Sequence, residues 1–524
     1  MAARDLDVAI VGAGVSGVWC GWRLTGESAG SGRRRRVGVF ELSDRVGGRL
    51  LSVRLPGLPD VACELGGMRY MSTQPLVKWL VEEELNLPRV EAPAARPENL
   101  AYLRRQRLRI SDLVDAKKVP YELDPAERKH PDELLSNAID VMAPDAKGKF
   151  GGALRKAVQS ARFDGRLLCD QGFWNILART LSSEGYRFAQ EAGGYDTTQL
   201  NWNAADTVVL NADFGPGVQY SRLADGYEEV PRQLGQRFED QGGELHLHHG
   251  VRSLHSAKLA DGTRGVALEV ENARTGRRRE VRARCVILAM PRRSIELLDP
   301  SGPVLADPAF RRLLTTVTPI PLFKAFVAYH QPWWEELGIT AGRSVTDLPL
   351  RQVYYWASTP KKSSVLLATY DDTLNVGFWQ GLAGDPRRYG LELDHLPEGA
   401  RRRILQSKVD DRWMARKAPA ALVDEIHRQL VEMHGVPSAP RPYAAVYHDW
   451  IDDPFGGGVN FWNIGVKSWR VIPKMAHPVP TVPVYVCGEA YSDAQGWVEG
   501  ALRTAELVLT KHLKLPKVPL AAAS

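Results

Sequence analysis

The chain has few cysteines, and they show no pairing pattern. Among 524 residues there are five cysteines, widely separated and without a CxxC pair, at Cys20, Cys63, Cys169, Cys285 and Cys487. An odd number without paired spacing argues against both a disulfide framework and a zinc site. We therefore expect buried free thiols and no metal.

Long apolar runs and a strong charge excess are also missing. No segment approaches the ~20 apolar residues of a membrane span, and the first apolar run is better interpreted as a strand than as a signal peptide. Lys and Arg number 68 against 62 Asp and Glu, a net charge of +6. The basic run Arg33 to Arg36 predicts a solvated loop, and His246, His248 and His249 indicate a sheet surface rather than a metal site. We expect a cytoplasmic protein with no membrane and no nucleic-acid partner.

What the chain does have is a glycine pattern between two apolar runs. The first run, residues 7–11, is followed by Gly12, Gly14 and Gly17. The second run, residues 37–40, ends at Glu41. In this context the first glycine allows the turn, the second lets the backbone approach a pyrophosphate, and the third allows close helix–strand packing. The phosphates would lie at a helix N-terminus, and Glu41 suits a ribose 2′-hydroxyl. The pattern predicts a dinucleotide-binding fold.

Four further segments show which dinucleotide to expect. Residues 44–50 (DRVGGRL), 64–70 (ELGGMRY), 484–490 (VYVCGEA) and 496–501 (GWVEGA) resemble the flavin amine oxidase family in order and spacing. Within that family the chain resembles the L-amino acid oxidase branch, in particular bacterial oxidases of lysine and other basic amino acids. The resemblance extends over essentially the whole chain.

The resemblance implies an α/β architecture with a Rossmann-type FAD-binding domain, a mixed-sheet substrate domain and a helical insertion. Helix-compatible segments at 131–141 and 173–182 match the insertion, and strands at 323–329, 352–356, 365–370 and 459–463 would cover the reactive face of the flavin. Since 524 residues exceed a single core, the expected division is FAD-binding at 1–70, 236–300 and 475–515, substrate-binding at 71–100, 206–235 and 301–474, and helical at 101–205.

By the same resemblance the cofactor is FAD, held non-covalently because Val459 stands where some relatives have a linking cysteine. Glu489 would bind a ribityl hydroxyl, Arg49 the pyrophosphate, the Val251 backbone the adenine, and the Val498 amide the flavin C2 carbonyl. The full expected cofactor set is Gly12, Gly14, Gly17, Glu41, Gly48, Arg49, Gly67, Met68, Val251, Gly488, Glu489 and Val498.

The expected catalytic residues are Arg69, Tyr370, Lys324 and Trp497. Arg69 follows Gly-Gly-Met, where L-amino acid oxidases place the arginine that binds the substrate carboxylate, and a planar guanidinium suits that group. The resemblance gives Tyr370 the second carboxylate contact, Trp497 one wall of an aromatic cage, and Lys324 a water that helps O₂ react. A lysine inside an apolar strand needs such an explanation, because burying its charge is costly.

The substrate side chain would meet Gly496, Asp372, Asp213 and either Trp462 or Phe461, depending on strand register. An acidic residue facing the pocket would favour Lys, Arg or ornithine. The implied reaction oxidises an L-amino acid with O₂ to a 2-oxo acid, ammonia and H₂O₂, in a homo-oligomer (a dimer). Two alternatives remain open: an amino-acid 2-monooxygenase that yields an amide and CO₂, and a flavin-binding module without turnover.

Overall fold

A computed structural model describes residues 5–30, 35–92, 94–196, 200–214, 217–357 and 363–520. Arg33 and Arg34, part of the expected solvated loop, lie outside these residues. Two large sheets organise the described chain.

The first sheet carries the glycine pattern. Its strands come from three separated parts of the sequence, in the order β12-β2-β1-β15-β14-β13, with β23 pairing β15 in parallel. β1, β2, β12 and β15 are also parallel neighbours, and the apolar runs of β1 and β2 are buried, as expected for strands covered on both faces. The strands are β1 (Leu6–Val11), β2 (Val37–Phe40), β12 (Glu244–His246), β13 (His249–Lys258), β14 (Arg264–Asn272), β15 (Arg278–Ala289) and β23 (Val484–Cys487).

Helices cover both faces of this sheet. One apolar core contains side chains of α1 (Val15–Gly30), α2 (Pro75–Lys78), α8 (Glu229–Asp240) and α16 (Val498–Leu507). The opposite core contains side chains of α9 (Arg292–Glu296), α10 (Pro308–Leu314) and α15 (Ser468–Met475). α2 and α16 continue as π-helical turns over Trp79–Glu84 and Val508–His512.

The second sheet is mixed, in the order β21-β17-β20-β19-β18-β7-β8, with β18 and β7 parallel. Its two faces pack against α11 (Leu374–Ala383), α14 (Ala420–His434), α12 (Glu398–Gln406) and α13 (Asp411–Ala415). The strands are β7 (Leu100–Leu103), β8 (Gln106–Arg109), β17 (Leu322–Tyr329), β18 (Gly342–Thr346), β19 (Gln352–Ala357), β20 (Ser364–Asp372) and β21 (Ala444–Asp449).

Smaller sheets join these layers. β5 (Tyr70–Met71), β11 (Tyr220–Leu223) and β6 (Arg89–Glu91) form one, and the pairs are β3 (Ser52–Val53) with β4 (Cys63–Glu64), β9 (Arg162–Phe163) with β10 (Arg166–Leu167), and β16 (Val317–Ile320) with β22 (Val459–Trp462). Single 3-10 turns occur at Ile110–Val114, Pro125–Glu127, Pro144–Ala146, Leu168–Asp170, Trp333–Leu337 and Glu489–Tyr491.

Helices fill the segment between β8 and β11. They are α3 (Pro131–Met142), α4 (Gly151–Val158), α5 (Phe173–Thr180), α6 (Ser183–Gly193) and α7 (Ala204–Ala212). Four of them share one apolar core, while α6 packs with β7 and β8 in another. The helical segments expected at 131–141 and 173–182 are therefore present, within one or two residues.

The cysteines are all buried and free. Among the described residues, no group of three or more His, Cys, Asp or Glu side chains is arranged to hold a metal ion. None of the helices in the described part of the chain has the length and apolarity that a membrane crossing requires. His248 lies in a left-handed turn (φ 58°) between β12 and β13, so the three histidines do not share one strand.

Candidate active site

One cavity reaches from the first sheet to the second. Its lining includes Val11 at the end of β1, Val251 on β13, Val498 at the start of α16, and Lys324 on β17. The carboxyl ends of the parallel strands open into it, which is where α/β sheets bind ligands. The cavity thus brings together segments that are hundreds of residues apart in sequence.

The glycine pattern forms one end of this cavity. Gly12 adopts φ 99°, and a Cβ built on Gly17 would lie 1.9 Å from the Gly12 carbonyl oxygen, so both positions require glycine. Gly12 and Gly14 line the cavity, while Gly17 lies behind them. Glu41 also lines it, and one Glu41 oxygen accepts a hydrogen bond from the Ala13 amide at 2.8 Å.

In the middle of the cavity, Arg49 and Glu489 form an ion pair of 2.7 Å. Arg49 also donates to the Gly458 carbonyl at 2.9 Å. The other carboxylate oxygen of Glu489 accepts hydrogen bonds from the backbone amides of Asn460 and Gly496, at 3.1 and 2.8 Å. Glu489 therefore ties β22 to the loop before α16. Gly48, Gly67, Met68, Val251, Gly488 and Val498 line the same cavity.

Lys324 lies at the far end, almost completely buried. Its ammonium nitrogen donates to the backbone oxygens of Gly66 at 2.6 Å and Glu64 at 3.3 Å, and lies 4.3 Å from the centre of the Tyr370 ring. Burial lowers the pKa of Lys324 to about 7; the Glu64 carboxylate opposes that shift and the Arg69 charge adds to it. At neutral pH both charge states of this amine are accessible.

Glu64 shares this environment. Burial raises the pKa of its carboxyl group to about 7, against the opposing hydrogen bonds from the Tyr227 amide and the Ser52 hydroxyl. Those bonds measure 2.7 and 2.8 Å. A titratable amine in the cavity lining thus lies close to a titratable acid that is not part of the lining.

Arg69 lies in the cavity wall among phenol rings. Its guanidinium carbon is 4.3 Å from the centre of the Tyr220 ring. Burial lowers the pKa of Arg69, but the neighbouring phenols, chiefly Tyr354 and Tyr195, outweigh that effect, so the group stays charged. Tyr370 lines the cavity nearby, and its ring meets the Tyr195 ring edge-on at 5.4 Å. The structure therefore brings Arg69, Tyr370 and Lys324 to one cavity.

Aromatic side chains close the cavity beside α16. Trp497 lies between Gly496, whose φ is 82°, and the start of α16. The centres of the Trp497 and Phe214 rings are 5.9 Å apart. Trp497, Gly496 and Phe214 all line the cavity.

The two candidates on β22 separate as strand alternation requires. Phe461 lines the cavity, whereas Trp462 faces the opposite core, where its indole nitrogen donates to the Ser492 carbonyl at 3.0 Å. Of the two alternatives that strand register left open, Phe461 lines the cavity and Trp462 does not.

The two acidic candidates separate as well. Asp372, at the end of β20, is buried and lines the cavity, and one of its oxygens accepts from the Asp196 amide at 2.8 Å. Asp213 is not part of the lining. Burial raises the pKa of Asp213, and the charges of Arg155 and Arg503 oppose the shift. The expectation that Asp213 faces the pocket is corrected, because Leu210 in the last turn of α7 and Phe214, two residues beyond the helix, line the cavity instead.

Comparison with known proteins identifies the family. The family described as flavin containing amine oxidoreductase matches residues 15–508. The chain belongs to this flavin amine oxidase family. It is 29% identical to Aplysianin-A of Aplysia kurodai (98% of this chain, 91% of the relative) and 24% to Achacin of Lissachatina fulica (97% and 93%). An L-amino-acid oxidase of Mus musculus is 24% identical, and the match covers 73% of this chain and 56% of the length of that relative.

Solved structures show the same flavin amine oxidase fold. Putrescine oxidase bound to putrescine matches with a TM-score of 0.65 at 18% identity, covering 97% of this chain and 99% of the other. Cyclohexylamine oxidase from Brevibacterium oxydans matches with a TM-score of 0.65 at 19% identity, covering 96% and 97%. The expected architecture, a Rossmann-type FAD-binding unit with a mixed sheet, is confirmed.

The cofactor of this flavin amine oxidase is FAD, and the cavity fits it. A Cβ built on Gly14 meets no protein atom within 4 Å, so the backbone there leaves open space beside the cavity. That opening lies at the N-terminus of α1, where amides and the helix dipole favour phosphate. Arg49, whose guanidinium is paired with Glu489, lines the same cavity.

Sequence reasoning missed several residues of the cavity lining. His249 could have been found, because it is two residues from Val251 and shares its strand face. Gln495 adjoins Gly496 in sequence. Tyr195 offered no such signal, because the side chains around it, Tyr354 and Tyr370, are more than 150 residues away in the sequence.

Proposed function

We propose that this flavin amine oxidase is an L-amino acid oxidase that forms a 2-oxo acid, ammonia and H₂O₂. The observation that carries the proposal is the Arg69 guanidinium in the cavity wall, surrounded by phenols. An α-carboxylate would pair with that cation through two parallel hydrogen bonds.

Each of the proposed catalytic residues has a separate task. Arg69 and the Tyr370 hydroxyl bind the two carboxylate oxygens and so set the orientation of the Cα–H bond. Trp497 and Phe461 pack around the rest of the substrate and exclude water. Lys324 holds a proton or a water at the cavity end of its side chain. FAD, when bound, accepts the two electrons and passes them to O₂. The relative named L-amino-acid oxidase supports this reaction class.

FAD is held without a covalent bond in this proposal. Val459 follows Gly457 and Gly458 where some relatives have a linking cysteine. All five cysteines are in buried positions, and none is among the lining residues of the cavity. The homodimer and the cytoplasmic location stay predictions.

A preference for basic side chains is the finer part of the proposal. Asp372 places a buried carboxylate in the wall beside Tyr370. A carboxylate in the pocket wall attracts the cationic side chain of Lys or Arg, and it offers no favourable contact to the apolar side chain of Leu or Phe.

A substrate panel read by H₂O₂ release tests these statements. We expect L-Lys and L-Arg to exceed L-Leu and L-Phe, and all four to exceed putrescine and cyclohexylamine. Asp372→Asn should reverse the order of basic and apolar substrates. Asp213→Asn is the matched control and should leave that order unchanged, because its side chain lies outside the cavity.

Two results would overturn parts of the proposal. Faster turnover of the simple amines than of any amino acid would contradict the proposal that Arg69 and Tyr370 bind a substrate carboxylate. Equal or better activity of the wild type on Leu and Phe would remove the basic pocket and leave a broad-range oxidase. Product analysis adds a check, since an amide in place of the 2-oxo acid would indicate a monooxygenase.

A further inference from the structure

A cluster of charged side chains joins the loop before α16 to the helices between β8 and β11. Asp493, in that loop, is at its centre. One Asp493 oxygen lies 3.2 Å from Nη1 of Arg503 on α16, and the other lies 2.8 Å from Nε of Arg155 on α4. The Arg155 N–H is not aligned for a hydrogen bond, so that contact is an ion pair. The cluster lies outside the cavity, because none of these three residues is part of its lining.

Arg503 holds the chain on both sides of Trp497. Besides Asp493, which precedes Trp497, it contacts Glu499, which follows it, through Nε at 2.9 Å. Glu499 is almost completely buried, and its second oxygen accepts a hydrogen bond from the Val77 amide at 3.0 Å. Because Arg503 and Glu499 are one helical turn apart on α16, both flanks of Trp497 are fixed to the same helix.

Arg155 connects a second part of the cavity wall to the same cluster. It lies on α4, which shares an apolar core with α7, and α7 ends two residues before Phe214. Burial raises the pKa of Asp213, the residue directly after α7, and the charges of Arg155 and Arg503 oppose that shift. The cluster therefore reaches the chain beside Phe214 as well as the chain beside Trp497.

Trp497 and Phe214 form an aromatic pair in the wall that this cluster adjoins. The centres of their rings are 5.9 Å apart and the ring planes are tilted by 54°. Both side chains line the cavity and both are partly exposed, so the pair lies where the cavity meets solvent. A partly exposed ring has fewer packing neighbours than a buried one, so its position depends more on how its backbone is held.

We propose that Asp493, bound by Arg155 and Arg503, is a positioning residue that holds the aromatic pair together and so closes the wall around the substrate side chain. The proposal rests on the proposed function, because the Arg69 clamp must hold the carboxylate end of the substrate. Without the Asp493 charge, two guanidiniums would face each other as like charges, and the helices that carry them would separate. The clamp would remain, but the wall would open.

Straight-chain carboxylates from acetate to pentanoate test this, because each carries the carboxylate and none has the α-amine that is oxidised. Their Kd values for the holoenzyme are measured by the change in flavin absorbance. The Kd of acetate reports the Arg69 clamp, and the decrease in Kd for each added methylene reports contact with the wall. We expect the wild-type Kd to fall about two- to fourfold per methylene.

Removing either partner of the ion pair should abolish that dependence. Asp493→Asn and Arg155→Met should each make the Kd nearly independent of chain length while leaving the Kd of acetate unchanged. The double variant should be no worse than either single variant, because both substitutions remove the same contact. Arg155→Lys keeps a positive charge beside Asp493 and should retain most of the wild-type dependence.

Lys156→Met is the matched control for the loss of a positive charge on α4. Lys156 is next to Arg155 in sequence, but its side chain is exposed to solvent. Its substitution should therefore leave the whole series of Kd values as in the wild type.

The outcomes separate this proposal from the proposed function. A chain-length dependence that persists in Asp493→Asn and Arg155→Met, with every acid still bound, overturns the role of Asp493 alone. An equal loss of the dependence in Lys156→Met, or a loss of acetate affinity as large as that of pentanoate, shows a general effect on the fold and also overturns it. Failure of the wild type to bind any of the acids overturns the Arg69 clamp, and with it the basis of the positioning role.

Discussion

At the scale of single residues, burial and neighbouring charge determine what each side chain around the cavity can do. Burial brings the pKa of both Lys324 and Glu64 to about 7. Arg69 is half-buried, and its phenol neighbours keep it charged.

Arg69→Lys should raise KM for amino acids strongly, because a point charge cannot reproduce two parallel hydrogen bonds. We expect a loss of about 2–4 kcal/mol in kcat/KM. Steady-state kinetics with L-Lys measures it, and cadaverine, which lacks the carboxylate, is the control that should be little affected. Unchanged kinetics on L-Lys would exclude Arg69 from the site.

Lys324→Met should slow the reaction of reduced enzyme with O₂ while leaving anaerobic reduction by substrate largely intact. The reason is that the proposed role of Lys324, to hold a proton or a water at the cavity, belongs to the oxidative half of the cycle. Stopped-flow measurement of each half-reaction checks this. Slower reduction with normal reoxidation would contradict the assignment.

The same two groups should shape the dependence of stability on pH. Lys324 titrates at about 7 in the folded chain and at its usual 10.5 when unfolded, so between these values the unfolded chain binds more protons and stability rises with pH. Glu64 titrates at about 7 folded and 4.5 unfolded, so between 4.5 and 7 stability falls as pH rises. Lys324→Met should therefore flatten the alkaline side of a Tm profile, and Glu64→Gln the acidic side. Identical profiles in wild type and both variants would refute this.

At the scale of elements, the turn between β1 and α1 separates a folding requirement from a cofactor requirement. Gly17 packs against the Gly12 carbonyl, where a Cβ would clash at 1.9 Å, whereas Gly14 has open space. The two glycines are three residues apart, so one pair of substitutions compares them in the same local structure.

Gly17→Ala should reduce the yield of folded protein, since the clash is with backbone that cannot move away. Gly14→Ala should leave the Tm of the apoprotein close to wild type but weaken FAD binding, because the added methyl group occupies space beside the phosphates. Thermal denaturation and FAD titration of both apoproteins measure this. Equal FAD affinity in wild type and Gly14→Ala would place the pyrophosphate elsewhere.

At the scale of the whole molecule, the cavity depends on segments from the beginning, middle and end of the chain. Gly12, Val251 and Glu489 meet at it although each belongs to a different part of the sequence. A ligand that contacts all of them stabilises the folded state by mass action. FAD should therefore contribute to the stability of the entire fold and not only to its local order.

Acid or heat denaturation should release FAD into the supernatant, since the proposed complex has no covalent bond. The apoprotein should also melt at a lower Tm than the holoenzyme, with the difference growing as free FAD is raised. Flavin that stays with the precipitated chain would contradict non-covalent binding.

The sequence by itself determined the parts of this protein whose signals are local. The Gly12, Gly14 and Gly17 pattern identifies the nucleotide end because the turn needs those residues in that spacing. The four family segments predicted FAD. The segments expected at 131–141, 173–182, 323–329, 352–356, 365–370 and 459–463 agree with α3, α5, β17, β19, β20 and β22 within two residues. The carboxylate-binding role of Arg69 was predicted from the Gly-Gly-Met segment directly before it.

Only the tertiary structure decided which side chains face the cavity and which distant side chains meet beside it. Phe461 and Trp462 are neighbours on β22, and strand register sends only one to the site. Asp372 and Asp213 were both candidates for an acidic pocket residue, but Asp372 at the end of β20 lines the cavity, whereas Asp213, directly after α7, does not. The hydroxyls of Tyr195 and Tyr354 are 3.1 Å apart, although Tyr195 follows α6 and Tyr354 is on β19. Such contacts are set by packing between distant segments, and no local pattern of residues encodes them.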